Sequence, residues 1–342
     1  MSHRVFIERL VIGIAIVGLA ALLWALRSLV ILVFGAVLVA VILNLIGAPL
    51  RRRAGLPDWA ALLAAVTVAV GVLALAITLF GAETVRQASS LQETIPAAWA
   101  AIQQRLEPYG LAGPLRDTLA AVQSSGGGIL SSVGRIAISV GNGIADALLV
   151  IVGGIYLAAQ PNLYLRGMVK LFPADARPRV EQALDDSWNG LRLWLRGRLV
   201  SMTLVGTLTG IGLSMIGIPG AMALAVLAFI LEFIPFIGPV IAAVPAILLA
   251  LAFDPAKALW VALLYVGIQQ LEGNVIEPLV QQRAVEMPPA LLLFAVVAGA
   301  VIFGAPGILF AAPLTVVLFV MVKRLYVREA LGTPTEIPGE KS

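Results

Sequence analysis

The sequence has no cysteine, and its one histidine, His3, lies beside the N-terminus. Without cysteine there are no disulfides, no thiol nucleophile and no thiolate ligand for a metal ion. A single histidine leaves no histidine-based metal site and no Ser-His or Cys-His catalytic pair. We therefore expect a protein that is not an enzyme and that carries no metal or other cofactor.

Charged residues are also scarce, since they make up 12% of the 342 residues, whereas 60% are hydrophobic. A soluble globular domain carries about 25% charged residues. The mean hydropathy is +1.00, and the apolar residues form continuous runs rather than the alternating segments of an outer-membrane barrel. The composition predicts an all-α polytopic membrane protein in a lipid bilayer, without a nucleic-acid partner.

The apolar runs and the polar stretches between them predict the domain organisation. Apolar runs of about 20 residues indicate spans, and apolar residues at every third or fourth position indicate amphipathic helices. We predict an N-terminal three-span region at 1–82, an extracytoplasmic amphipathic helical insert at 83–142, a fourth span at 143–160, a cytoplasmic amphipathic helix at 161–198, a C-terminal membrane region at 199–325 and a polar, disordered cytoplasmic tail at 326–342.

The orientation follows from the basic residues. The first apolar run, Leu10–Leu26, is interpreted as a span and not as a removed signal peptide, because a second run follows directly. Lys and Arg gather near the N-terminus, at 51–53, at 161–198 and in the tail. Because cytoplasmic loops carry the excess of Lys and Arg, both termini are expected in the cytoplasm.

An acidic residue, two prolines and a glycine interrupt the apolar sequence of the C-terminal region: Glu232, Pro235, Gly238 and Pro239. A charge at bilayer depth costs at least a few kcal/mol, and a proline in a helix interior costs about 3 kcal/mol. Such residues at membrane depth line a cavity or a broken helix rather than face lipid. We therefore expect a broken hairpin at 219–253.

A second break resembles the first. It contains Gly304, Pro306 and Gly307, with Pro313 six residues after Gly307, just as a proline follows Pro239 by six residues. Paired Gly/Pro-interrupted segments indicate a transporter repeat with its site at the breaks. We therefore predict a second broken hairpin at 289–325. The alternative is a chance similarity between two sequences rich in Ala, Val, Leu and Ile.

Polar residues lie between the two hairpins: Gln270, Glu272 and Asn274. Intramembrane carboxylates are candidate sites for protons or cations, so we predict that these three residues and the Glu232–Pro239 break bind a substrate or coupling ion. The alternative is a helix end at the membrane surface, and we adopt that interpretation for Glu277 and Glu286.

The order and spacing of these motifs resemble the autoinducer-2 exporter family, also called PerM permeases. The motifs are Glu232–Pro239, Gln269–Asn274 with Pro278, and Gly304–Gly307 with Pro313. The resemblance is strongest over 190–325 and covers nearly the whole chain. Glu232 departs from it, because many members are expected to have a neutral polar residue such as Asn there.

The resemblance implies a bacterial inner-membrane protein with about eight spans, assembled as a homo-oligomer. Some members are assigned to export of autoinducer-2, and others to sodium(lithium)/proton antiport. It implies a permease, a secondary transporter or exporter that moves a small polar molecule or an ion by a gradient-driven mechanism. A sodium(lithium)/proton antiporter, a channel-like pore and a non-transporting membrane scaffold stay open as alternatives.

Overall fold

The computed structural model describes residues 24–72, 129–276 and 287–338, together with a few single positions beside them. Most of the first predicted span and residues 83–128 of the predicted insert lie outside the described residues, as do Glu277 and Glu286.

Every regular element of the described residues is helical, which confirms the predicted all-α membrane fold. The 3₁₀ turn Ala174–Ala176 precedes α5, and wider π-helical turns extend α8 over Glu272–Ile276 and α10 over Val322–Ala330. In chain order the helices are α1 (Arg27–Ala54), α2 (Asp58–Val72), α3 (Ile129–Ala159), α4 (Pro161–Lys170), α5 (Arg177–Ile216), α6 (Ala221–Leu231), α7 (Ile237–Phe253), α8 (Pro255–Leu271), α9 (Pro289–Phe303) and α10 (Ala305–Met321).

Within the described residues, helices of two lengths can be distinguished. Four are long and apolar enough to cross a bilayer, and α3 with α4 forms a further pair bent by 90°. The four are Arg27–Ala54, Ala174–Ile216, Pro255–Ile276 and Ala305–Ala330. The shorter apolar helices α6, α7 and α9 do not reach across a hydrocarbon core of about 30 Å, and α2 is described only as far as Val72.

The chain divides into two compact units, which we describe separately. The first contains Met1–Leu62, Leu148–Arg192 and Met287–Ser342, and the second contains Leu63–Ala147 and Leu193–Glu286.

In the first unit, glycines let helices pack closely on α1. A Cβ atom on Gly154 of α3 would lie 2.5 Å from a methyl group of Val39. A Cβ atom on Gly35 would lie 3.2 Å from the ring of Phe310 on α10. Small residues at such positions are how membrane helices gain van der Waals contact, so α3 and α10 both approach α1 closely.

The same unit contains the hairpin of α9 and α10. The two helices turn at Gly304, whose φ of 69° and ψ of −145° suit only glycine. A Cβ atom on Gly307 would lie 1.9 Å from the carbonyl oxygen of Gly299. Pro306 lies in the first turn of α10, where a missing N–H is tolerated, and Pro313 lies inside this helix.

In the second unit, α7 packs on both α6 and α8. The core of this unit includes Leu213, Leu224, Leu249 and Val261. Gly206 on α5 allows close approach of α6, because a Cβ atom there would lie 2.8 Å from the Cβ of Phe229.

Two predicted segment ends are not helix ends in the structure. Helix α3 runs without a break through 142–143, and α5 runs for 40 residues through 198. No proline interrupts either helix at these points. The change from polar to apolar sequence therefore reflects different surroundings along one continuous helix, and not the start of a new helix.

The expectation of a disordered tail is wrong for the described part of it. Lys323 Nζ donates a hydrogen bond to the carbonyl oxygen of Glu336 at 3.4 Å, and Ile337 is 5% exposed. Arg328 Nη1 lies 2.6 Å from Glu340 Oε1. The tail is held because an apolar side chain and an acidic one bring it back onto the π-helical turns after α10.

Candidate functional site

The chain reverses between α6 and α7 through a strained turn at Phe236. This residue has φ of 64° and ψ of −46°, and the N–H of Ile237 donates to the carbonyl oxygen of Pro235 at 2.7 Å. The geometry is that of a γ-turn with positive φ, a rare and strained form. Strained backbone of this kind costs about 1–3 kcal/mol and is found mostly at functional sites.

Gly238 allows this reversal. A Cβ atom on Gly238 would lie 1.8 Å from the carbonyl oxygen of Leu231, so the start of α7 packs directly against the end of α6. The prolines at 235 and 239 lie in the turn and in the first turn of α7, where a helix tolerates the loss of a backbone donor. The predicted break is therefore a tight turn, in which the start of α7 contacts the end of α6.

Glu232 ends α6 beside this turn, and it is nearly fully buried, with 1% of its side chain exposed. Glu272 begins the π-helical turns that follow α8, and 9% of its side chain is exposed. Both carboxylates thus lie at irregular helix ends, where a side chain can be directed inward. π-Helical turns within α-helices are frequent at functional sites.

Arg198 on α5 contacts both carboxylates. Its Nη2 lies 2.8 Å from Glu232 Oε1, and its Nη1 lies 3.4 Å from Glu272 Oε1. Nη2 also donates to the backbone carbonyl of Glu232. Gln269 Nε2 donates to Glu272 Oε2 at 3.0 Å. We call Arg198, Glu232, Glu272 and Gln269 the charge cluster.

The charge cluster carries more negative than positive charge when both carboxylates are ionised. One guanidinium faces two carboxylates, and 13% of the arginine side chain is exposed. Within the described residues, neither oxygen of the Glu232 carboxylate has a hydrogen bond of good geometry, although Oε1 lies near Arg198. A buried carboxylate in this state has strong unused capacity to accept a proton or to contact a cation.

An aromatic pair joins the two chain segments that carry Arg198 and Glu232. The rings of Trp194 and Phe233 lie edge to face, with centroids 5.8 Å apart. Trp194 precedes Arg198 by one helical turn on α5, so both side chains lie on the same face of the helix. Phe233 follows Glu232 directly, and the aromatic pair therefore fixes α5 against the chain segment that carries the carboxylate.

The structure brings together some of the predicted site residues but not others. Glu232 and Glu272 contact one guanidinium, and Gly238 shapes the turn beside them. Asn274 is exposed and donates through Nδ2 to the Gln270 side chain at 3.0 Å, away from the carboxylates. The residues at 304–313 belong to the first unit and form the turn between α9 and α10 and the first half of α10.

Sequence reasoning missed Arg198. The basic amphipathic pattern of 161–198 predicts that it lies with the other arginines of that helix at the cytoplasmic membrane surface. The signal that could have identified it was the presence of two carboxylates in apolar sequence, since buried acids in a membrane need a basic partner. In the part of the chain that the structure describes, no group of three or more acidic or His residues could hold a metal ion.

Comparisons with known proteins identify the family of the chain. The family model described as AI-2E family transporter matches residues 12–326. YrrI of Bacillus subtilis, named as a transport protein, is 30% identical over 167 residues, which are 49% of this chain and 47% of YrrI. MT0215 of Mycobacterium tuberculosis, also named as a transport protein, is 28% identical over 321 residues, or 90% of this chain and 86% of that protein.

The AI-2 transport protein TqsA of Escherichia coli is 26% identical over 157 residues, which are 44% of this chain and 43% of TqsA. With YrrI and TqsA, the match spans about half the length of the relative. The match to the family model extends over nearly the whole sequence and includes all four residues of the charge cluster. The chain therefore belongs to the AI-2E family of membrane transporters.

Proposed function

We propose that this protein is a secondary transporter of a bacterial inner membrane, and that the charge cluster binds the ion or proton that drives transport. The observation that carries this proposal is the contact of one buried guanidinium with two buried carboxylates. Both termini lie in the cytoplasm in this proposal, as the distribution of Lys and Arg predicts.

Charge balance supports a role in ion binding. Taking an ion out of water costs several kcal/mol unless it is paired, and Arg198 supplies one positive charge for two carboxylates. A proton or a monovalent cation that binds at Glu232 or Glu272 makes the cluster neutral. Occupancy of the cluster therefore changes its net charge, which is what couples an ion gradient to a conformational change.

The strained turn supports a role in that change. The Glu232 carboxylate lies four residues before Phe236, which is held in an unfavourable backbone conformation. Release of the carboxylate from Arg198 allows the short segment between α6 and α7 to relax. Broken helices at an ion site are a recurring feature of secondary transporters.

The transported molecule is a small polar compound or an ion. The name of TqsA, an AI-2 transport protein, makes autoinducer-2 the first cargo to test. A sodium(lithium)/proton antiporter is the second, because two carboxylates that share one arginine suit exchange of a metal cation for a proton.

Reconstitution in proteoliposomes tests the proposal. An imposed pH or sodium gradient drives cargo uptake or release by the wild-type protein, and Glu232→Gln and Glu272→Gln each reduce the gradient-driven rate by at least about tenfold. The matched control is Glu181→Gln, an exposed acid on α5 outside the charge cluster. Gradient-driven flux that is the same in both cluster variants and in wild type would contradict the role of the cluster.

Two experimental results would favour another mechanism over that of a secondary transporter. A single-molecule conductance far above carrier rates, insensitive to both glutamine substitutions, indicates a channel-like pore. Loss of the cellular phenotype on removal of residues 83–142, with no effect of substitutions at Gly238 or Pro239, indicates a membrane scaffold.

A further inference from the structure

A pocket of about 820 Å³ lies in the first unit, apart from the charge cluster. We call it the interfacial pocket. It is formed where α1 ends, α2 begins, and the chain passes from α3 to α4. Its polar lining comes from Asn44, Arg51, Asp58, Gln160 and Asn162, and Trp59 also lines it. Ligand pockets usually have volumes of about 300–1,000 Å³.

The residues around this pocket are typical of a membrane surface. Arg51 lies in the last turn of α1, together with Arg52 and Arg53, and Trp59 is 71% exposed. Trp is enriched where membrane meets water, and Arg at helix ends extends toward the headgroups. The chain turns by 90° between α3 and α4, which is the geometry of a helix that leaves the bilayer and continues along its surface.

The charges of the pocket are paired. Arg51 Nη1 donates to Asp58 Oδ1 at 3.0 Å, and the other residues of the described lining are neutral. This contact uses one nitrogen of the guanidinium and one oxygen of the carboxylate. The side chain of Asp58 is 86% exposed and that of Arg51 is 36% exposed, so both keep hydrogen-bonding capacity toward the pocket.

We propose that the interfacial pocket binds a phospholipid with a zwitterionic primary-amine headgroup, the chemistry of phosphatidylethanolamine. The phosphate accepts hydrogen bonds from Arg51 and from the side-chain amides of Asn44, Gln160 and Asn162. The ammonium group donates to Asp58, and the first part of the acyl chains lies against the apolar side chains of the pocket.

Charge complementarity favours this class of lipid over two others. Phosphatidylglycerol has a phosphate but no cation, so Asp58 would face it with a like charge. Phosphatidylcholine has the same charges, but its trimethylated nitrogen has no N–H to donate to Asp58. A preference for ethanolamine over choline therefore depends on the hydrogen bond between the ammonium group and the carboxylate of Asp58.

Native mass spectrometry of the purified full chain tests the proposal. The protein in detergent is given equal amounts of phosphatidylethanolamine, phosphatidylcholine and phosphatidylglycerol with identical acyl chains, and the retained lipid is counted. We expect about two- to fivefold more retained phosphatidylethanolamine than either competitor, the effect of one partly exposed charged contact. Preferred retention of phosphatidylglycerol, or equal retention of all three, would overturn the proposal.

Variants locate the contact. Asp58→Asn removes the preference for phosphatidylethanolamine over phosphatidylcholine, and Arg51→Gln reduces retention of all three lipids. Arg52→Gln removes the same charge from the next residue, which is exposed and outside the pocket, and leaves the preference unchanged. A preference that persists in Asp58→Asn, or is lost in Arg52→Gln, would show that the contact lies elsewhere.

A soluble competitor distinguishes a lipid from a free metabolite with the same headgroup. Glycerophosphoethanolamine lacks acyl chains, and at millimolar concentration it leaves phosphatidylethanolamine bound if the acyl chains contribute to binding. Displacement of the lipid by glycerophosphoethanolamine at concentrations similar to those of the lipid would mean that the pocket takes a soluble ligand. Because this comparison uses the wild-type protein, it does not depend on the folding of any variant.

Discussion

Arg198 holds Glu232 at two points, since its Nη2 lies 2.8 Å from the carboxylate oxygen Oε1 and also donates to the backbone carbonyl of the same residue. The arginine therefore restrains both the side chain that carries the charge and the backbone that leads into the strained turn. Loss of the contact with the carboxylate therefore also affects the contact with the backbone carbonyl, because Arg198 makes both.

Removal of the arginine should destabilise the protein strongly. Arg198→Gln leaves two buried carboxylates without their cation, and breaking a buried ion pair in this way costs about 3–5 kcal/mol. Thermal unfolding of the purified protein in detergent measures the loss. Arg196→Gln, an exposed arginine on the same helix, is the matched control and should change stability by less than about 0.5 kcal/mol.

The double variant Arg198→Gln, Glu232→Gln distinguishes lost pairing from lost packing. It removes the guanidinium together with the more deeply buried of its partners, so it should be more stable than Arg198→Gln alone. Additive destabilisation in the double variant would show that Glu232 and Arg198 are not energetically coupled.

Gly238→Ala should disrupt the hairpin of α6 and α7. The added methyl group would lie 1.8 Å from the carbonyl oxygen of Leu231, and neither helix backbone can move without opening the turn. We expect a loss of at least about 2 kcal/mol in unfolding free energy, measured by thermal unfolding. Gly267→Ala is the control, because a Cβ atom there meets nothing within 4 Å, and it should be neutral or stabilising by up to about 1 kcal/mol.

Phe236→Gly should stabilise the protein relative to Phe236→Ala. Both variants remove the same half-exposed ring, but only glycine adopts φ of 64° without strain. The difference between the two variants therefore measures the backbone strain, and we expect about 1 kcal/mol in favour of glycine. Equal stability of the two variants would show that the turn at Phe236 is not strained in the folded protein.

Much of the C-terminal architecture can be predicted from the sequence. Glycine and proline at 235–239 and 304–307 interrupt apolar runs, and an interrupted apolar run has few structural solutions in a membrane. The helix breaks at Phe236 and Gly304 follow from these residues, and the location of Glu232 beside one break follows from its position in the chain.

The partner of the two carboxylates could not be predicted in the same way. Arg198 is separated from Glu232 by 34 positions and from Glu272 by 74, and no local pattern connects them. Helix periodicity predicts which face of a helix is apolar, but it does not predict which other helix packs on that face. Asn274 was predicted to belong to the same site as Glu272 because both lie in one polar stretch, and in the structure its side chain bonds to Gln270.

The tail was mispredicted because its composition is polar. Disorder follows from composition only when a segment has nothing to bury or pair. Here Ile337 is buried and Glu340 contacts two arginines, and these contacts depend on residues that are distant in sequence.

Arg324 should control the order of the tail. This residue is 9% exposed, its Nη1 lies 3.3 Å from Glu340 Oε1 and 3.6 Å from Asp186 Oδ2, and Nη2 donates to Gln182. Arg324→Gln removes the cation that joins the tail to α5 and breaks the ion pair of the buried Asp186. We expect a protease specific for glutamate to cleave after Glu336 at least about tenfold faster in this variant than in wild type, because cleavage follows the population of the opened tail.

The control for this experiment is Arg179→Gln. Arg179 also joins α5 to the residues after α10, through a 3.5 Å contact with Glu329, but its side chain is 63% exposed. Exposed pairs contribute little to stability, so the cleavage rate of this variant should equal that of the wild type to within about twofold. If Arg324→Gln and Arg179→Gln are cleaved at the same rate, the buried contacts of Arg324 do not hold the tail, and the order of residues 331–338 depends instead on the Arg328–Glu340 contact and the apolar packing of Ile337.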